Sequence, residues 1–204
     1  YLEKAPGFPD SPLPPFSTGF SLAMDICSNL PGTHKIINEL SRRVFQPYSM
    51  MTVGEVICRT PQDYHDYASC SRHEFDMCIP FVPPVVEIAT WSPLAMKKKI
   101  IETYEVLRED GWWARFLSNH DKPRQVSLYG DDTRFRTRSA KMLCAIMHML
   151  PGTPYVYQGE ELGMADVSYD SIDDYDDIDT RNFYAEKIAT GSSPEEALAE
   201  ARLI

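Results

Sequence analysis

Short β-prone runs alternate with stretches of helical periodicity along most of this chain, and that alternation constrains the fold more than any other feature. The β-prone runs are Met50–Val56, Phe75–Phe81, Ala114–Ser118 and Pro154–Tyr157. Between them, Ile36, Ile37, Leu40, Val44 and Phe45 keep helical spacing, which predicts a helix over about 33–46. Further helices are predicted over Pro61–Ser69 with Thr60 as N-cap, over Pro93–Asp110 up to Gly111, and over about 133–150. Strand–helix alternation of this kind gives a parallel α/β architecture, because parallel neighbours need a crossover that a helix supplies. Four such units would make half of an eight-stranded barrel.

The ends of the chain read differently. Residues 1–30 are rich in proline and glycine (Pro6, Gly7, Pro9, Pro12, Pro14, Pro15, Gly19) and predict a long irregular loop. Residues 165–204 predict an acidic helical extension. One helix opens in Ser171–Asp179, and another starts at Ser193-Pro-Glu-Glu196, a cap followed by a proline and two carboxylates. No internal repeat of fixed period occurs.

Composition removes several function classes. The formal net charge is −10, and the one basic run, Lys97-Lys-Lys99, falls on a predicted helix as a solvated face. Nucleic acid, which demands a positive footprint, is not an expected partner. No apolar run approaches the roughly 18 residues of a membrane span, so no membrane is expected either. Five cysteines at irregular spacing, with no CxxC pair, do not form a zinc or redox framework. They predict reduced, mostly buried thiols in a cytoplasmic protein.

Polar groups appear where the apolar runs end. The run from Ala114 to Leu117 turns abruptly polar at Ser118-Asn-His-Asp121 and breaks at Pro123. Glu55 ends another run after Gly54, a small residue that leaves room for a ligand, and Gln158 to Glu161 follow a third. On spacing alone, Asp121 could equally cap a turn, and a lone Glu55 could cap a helix. Carboxylates facing one crevice from different strand ends are what glycoside hydrolysis needs: one protonates the leaving oxygen, others stabilise an oxocarbenium-like centre. A histidine beside such a carboxylate can donate to a sugar hydroxyl. A general acid there needs a partly buried, carboxylate-rich surround to hold its proton.

Longer motifs add a resemblance. Phe116-Leu-Ser-Asn-His-Asp-Lys-Pro-Arg124 resembles the Phe-x-x-Asn-His-Asp-x-Pro-Arg pattern of glycoside hydrolase family 13, the α-amylase family. Met51-Thr-Val-Gly-Glu55 is similar to that family's acid/base strand, and Pro151–Met164 to the segment on its eighth strand. Tyr169–Tyr184 resembles the run that follows in its oligo-1,6-glucosidase and α-glucosidase branch. The order and spacing of these motifs agree over nearly the whole chain.

The resemblance implies a partial TIM (β/α)8 barrel covering about strands five to eight with their helices. It implies Glu55 as general acid/base, Asp121 as the carboxylate that orients the sugar and stabilises the transition state, and His120 as a contact to a glucose hydroxyl. Arg124 is either a further subsite contact or a structural ion-pair partner, and Gln158 to Glu161 read as a structural turn in preference to a catalytic group. The implied substrate is an oligosaccharide with terminal α-glucosidic bonds, α-1,6 or short α-glucosides, and no cofactor or metal is implied.

The family nucleophile, an Asp in a Gly-Phe-Arg-x-Asp run, does not occur in these 204 residues. A retaining mechanism needs that group facing the acid/base at about 5–5.5 Å. The chain is therefore expected to be the C-terminal half of a glycosidase barrel, inactive alone, and prone to self-association or to pairing with the N-terminal half. Trehalose-6-phosphate hydrolase and sucrose isomerase share these motifs and are alternative activities. A non-catalytic relative acting in protein interaction is a third, against which the joint presence of Glu55, His120 and Asp121 argues.

Overall fold

Strand β1 (Val53–Val56) lies parallel to β2 (Met77–Pro80), with Val53 opposite Met77 and Glu55 opposite Ile79. Strand β3 (Ala114–Arg115) lies parallel to β4 (Thr153–Pro154). A single parallel bridge between Cys78 and Trp113 sets β2 beside the entry to β3. Strands therefore neighbour one another in sequence order, all parallel, as the alternation predicts. The computed structural model describes Gly7, residues 24–80 and residues 92–202. Most of the loop expected over 1–30, and Phe81 at the end of the run expected over Phe75–Phe81, lie outside these residues.

Helices α1 (Met24–Cys27) and α2 (Pro31–Leu40) precede β1; α3 (Pro61–Ala68), α4 (Pro93–Leu107), α5 (Gln125–Tyr129) and α6 (Arg136–Met149) fall between the strands; α7 (Ile178–Ala189) and α8 (Pro194–Ala201) follow β4. Their starts are legible in local chemistry. At α3 the Thr60 side chain accepts the Asp63 N–H at 3.1 Å while Asp63 accepts the Thr60 N–H at 2.9 Å, a closed capping box. Ser193 and Glu196 repeat that arrangement at α8. Ser92 accepts the Ala95 N–H to start α4, with Pro93 at the first position.

Two helical expectations shift, and two short helices stand where none is expected, α5 and the single turn α1, which falls inside the irregular loop expected over 1–30. The helix expected over 33–46 starts at Pro31 and widens after Leu40 into a π turn over Ser41–Phe45, closed by Gln46 N–H to Ser41 C=O at 2.9 Å. The short α5 has no periodic signal of its own. The helix expected to open in Ser171–Asp179 is split into a 3₁₀ turn at Ile172–Asp174 and α7, whose N-cap is Asp177.

The chain divides into two compact units, one of residues 1–117 and 144–157, the other of residues 118–143 and 158–204. In the first, the buried core gathers Tyr64, Tyr67, Cys78, Leu107 and Trp113. Tyr64 from α3 reaches the gap in the ladder between β2 and β3. Its hydroxyl donates to the Cys78 carbonyl and accepts the Ala114 N–H at 2.7 Å. Beyond Arg115 the chain leaves the ladder, so β3 is shorter than the expected 114–118, yet Phe116 and Leu117 stay buried.

Gly152 permits the approach of β4. Its φ of +109° is left-handed, and a Cβ there would sit 2.3 Å from the Trp113 carbonyl oxygen. Arg115, inside the apolar run, is also buried. Its guanidinium donates to the carbonyls of Met147 and Gly152, satisfying acceptors at the end of α6 and at the entry to β4. Burial pushes its pKa down. In the second unit, Val126, Tyr129 and Leu143 are buried, and α7 packs on α8.

Candidate active site

The Asn119-His120-Asp121 turn is built in the second unit by bonds that start at its own residues. The Asn119 side-chain oxygen accepts the Asp121 N–H at 3.0 Å, and the Lys122 N–H donates to the Asn119 carbonyl at 3.3 Å. An asparagine bonding the backbone two residues ahead tightens the turn without a regular element. His120 and Asp121 are thereby left projecting, with 76% and 50% of their side chains exposed. The His120 Nε2 stands 3.5 Å from Asp121 Oδ1. Such a pair offers a carboxylate and an imidazole to adjacent hydroxyls of one ligand.

Both flanks of the turn are fixed to the segment 158–166. Ahead of it, the buried Ser118 hydroxyl donates to Glu160 Oε1 at 2.5 Å. Behind it, the Arg124 N–H donates to Asp166 Oδ1 at 2.8 Å, and the Arg124 guanidinium donates to the Gln158 carbonyl at 2.6 Å. The Asp166 N–H in turn donates to the Ser127 hydroxyl at 2.9 Å. Arg124 is thus tied to the 158–166 segment through both its backbone and its guanidinium.

The 158–166 segment folds on itself. Gly159 (φ +94°) and Gly163 (φ +64°) bracket a 3₁₀ turn at Glu160–Leu162, and the Gly159 N–H donates to Glu161 Oε2 at 2.8 Å. A Cβ at Gly159 would meet the Met164 sulfur at 2.3 Å and the Arg124 guanidinium at 2.9 Å, so glycine is required for the close approach. The segment follows β4, which ends at Pro154.

Glu55 belongs to the first unit, whereas His120, Asp121 and Arg124 belong to the second. Glu55 sits on β1 with its side chain exposed, between buried Gly54 and half-buried Val56. Two expectations about its surroundings need correction. Within the first unit Glu55 is not partly buried. The room beside Gly54 is also taken, because a Cβ there would lie 2.5 Å from the Phe75 ring. The glycine admits an aromatic side chain of the protein itself, and the gain is core packing.

Among the described residues, no three His, Cys, Asp or Glu side chains converge as a metal site would require. The five thiols are free, and Cys58 and Cys78 are buried as expected, but Cys70 and Cys144 are exposed. Sequence reasoning did not single out Ser118 or Asp166. The Ser118–Glu160 bond joins residues 42 positions apart, a separation that no local pattern reports.

Comparison with known proteins agrees with the motifs. Residues 1–195 match the family model described as alpha amylase, catalytic domain. An oligo-1,6-glucosidase of Parageobacillus thermoglucosidasius is 37% identical over 206 residues, covering 97% of this chain and 36% of that protein. The crystal structure of a Bacillus licheniformis trehalose-6-phosphate hydrolase mutant superposes with a TM-score of 0.79 at 37% identity, covering 87% of this chain and 34% of that one. A trehalulose synthase mutant superposes with a TM-score of 0.79 at 31% identity, covering 98% of this chain and 37% of that one. The chain thus spans about a third of the length of the relatives it matches.

Proposed function

The chain belongs to the α-amylase family, glycoside hydrolase family 13, and from that premise we propose that it serves a retaining α-glucosidase acting on terminal α-glucosidic bonds of short oligosaccharides, α-1,6 links or small α-glucosides foremost. The observation that carries this reading is the projecting His120–Asp121 pair, held on a turn just beyond a buried parallel strand. In this reading β1 to β4 are barrel strands five to eight, whose carboxyl ends present the catalytic groups. The sequence-ordered parallel neighbours support that placement.

Each residue then has a role that its chemistry fits. Glu55 gives its proton to the glycosidic oxygen as the bond breaks, and afterwards takes one from the attacking water. Asp121 holds hydroxyls of the non-reducing sugar and opposes the positive charge growing on the ring. His120 donates to a neighbouring hydroxyl and selects for a hydroxylated ring. Arg124, donating to the Gln158 carbonyl, holds the turn in place. The 204 residues contain no Gly-Phe-Arg-x-Asp run, so by themselves they are proposed to lack the nucleophile and to be inactive.

The test is turnover of nitrophenyl α-glucoside by this chain, and by a longer protein that joins it to a family nucleophile segment. The longer protein is expected to be active, and Glu55→Gln should lower its rate by about 10²–10⁴-fold. Turnover by the 204 residues alone, abolished by Glu55→Gln, would overturn the proposed inactivity. A second reading, trehalose-6-phosphate hydrolysis, is favoured by the likeness to the trehalose-6-phosphate hydrolase structure. Assaying phosphorylated against plain disaccharides separates the two.

Partner and location complete the proposal. Among the described residues, β1 pairs only with β2, and Leu40, Met50 and Met51, which precede β1 in the chain, are exposed. An open parallel edge is a template for another strand, so the chain is proposed to self-associate or to pair with the strands it lacks. Sedimentation of the isolated chain as a monomer at all concentrations would refute self-association. No helix among the described residues is long and apolar enough to cross a membrane, and five free thiols fit a cytoplasmic site of action.

A further inference from the structure

We propose that Glu160 is a positioning residue for the His120–Asp121 pair, acting through Ser118. The inference rests on the glycosidase reading for its purpose, but its geometry stands in the second unit alone. Ser118 is 2% exposed and Glu160 8% exposed, and the bond between them is 2.5 Å. Water does not compete for a hydrogen bond at such a site, so the bond keeps its strength and leaves a costly unmet group if broken.

The position of this bond in the chain gives it its role. Ser118 immediately precedes Asn119, whose side chain holds the Asp121 N–H. On the far side, Arg124 is fastened to Asp166 and to the Gln158 carbonyl. The exposed pair therefore sits on a turn clamped at both ends to one segment, with the Asn119 side-chain bond inside it. A rotation of Ser118 would carry Asn119 with it and swing Asp121 away. Filling a buried site with a carboxyl is expensive when an apolar side chain would pack as well. A directional bond to the serine hydroxyl gives that choice a purpose.

The test uses the full 204-residue chain and reads hydrogen exchange of the Asp121 amide by NMR. Glu160→Leu and Ser118→Ala are expected to speed that exchange about tenfold or more, because the Asn119 bond opens more often. Glu160→Gln keeps an acceptor oxygen for Ser118 and should restore exchange to within about twofold. Thr180→Ala, which removes a buried hydroxyl bonded to Asp177 in the same unit, should lower the melting temperature and leave Asp121 exchange unchanged.

Unchanged exchange in Ser118→Ala would overturn the proposal, even where Glu160→Leu fails to fold. Equal acceleration in Thr180→Ala would overturn it too, since the effect would then be general loosening. No substrate enters this measurement, so an inactive longer protein would remove the glycosidase reading and leave the positioning result standing. If that protein is active, Glu160→Leu should lower kcat/KM about 10–100-fold, with KM raised as well as kcat lowered, because Asp121 both holds sugar hydroxyls and opposes the charge of the transition state.

Discussion

The hydroxyl of Tyr64 accepts the backbone N–H of Ala114 at 2.7 Å, 50 residues away, while it donates to the Cys78 carbonyl. A side chain from α3 thus completes the backbone bonding that β2 and β3 leave open beyond the Cys78–Trp113 bridge. Cys78 and Ala114 are both fully buried, so neither group has water as an alternative. Tyr64→Phe keeps the ring and removes both bonds. It is expected to cost about 2–4 kcal/mol, since a buried donor and a buried acceptor are left unmet, and urea unfolding at neutral pH measures it.

At Arg115 two opposing effects compete. Its buried guanidinium caps the Met147 and Gly152 carbonyls, yet Nε has no partner and the charge is desolvated. Arg115→Met removes the cost of the buried charge but strands two acceptors. The acceptors are expected to win, with a net loss of about 1–3 kcal/mol. A gain in unfolding midpoint would show that desolvating the charge costs more than the two bonds return.

Burial raises the Cys58 thiol from 9.0 to about 12, with Asp63 adding to the shift. It likewise raises the Tyr67 and Tyr129 phenols from 10.0 to about 12. The unfolded chain releases these protons at lower pH than the folded one, so it binds fewer of them in between. Stability is therefore complete below about pH 9 and falls as pH rises toward 12. Urea midpoints should drop between pH 8 and pH 10.5, and midpoints constant over that range would refute the assignment.

Thiol labelling should divide the cysteines by exposure. Cys70 and Cys144 are exposed and should react with iodoacetamide in the native protein, whereas Cys58 and Cys78 should react only after unfolding. Peptide mass mapping after a short native pulse reads the difference. Native labelling of Cys78 would mean that the core around β2 opens readily.

Gly54 has its own test. A Cβ would lie 2.5 Å from the Phe75 ring, so Gly54→Ala must move that ring within the packed core. A loss of about 1–3 kcal/mol is expected from overpacking, and Gly54→Ala combined with Phe75→Leu should recover part of it. No recovery would place the strain elsewhere on β1.

The sequence by itself determined the features whose partners lie close along the chain. Thr60 with Asp63 and Ser193 with Glu196 cap their helices across three residues. Asn119 bonds Asp121 across two, and the strand–helix alternation carries the parallel order. The family was legible for the same reason, because its motifs are short and contiguous. Tertiary structure alone decided what depends on distant partners and on coverage. The Ser118–Glu160 and Tyr64–Ala114 bonds close over 42 and 50 residues, the space beside Gly54 goes to Phe75, and an arginine inside an apolar run finds carbonyls to cap. Local periodicity reports which face a residue occupies along its own element. Which atom from elsewhere meets that face, and whether water reaches it, is fixed only when the elements pack.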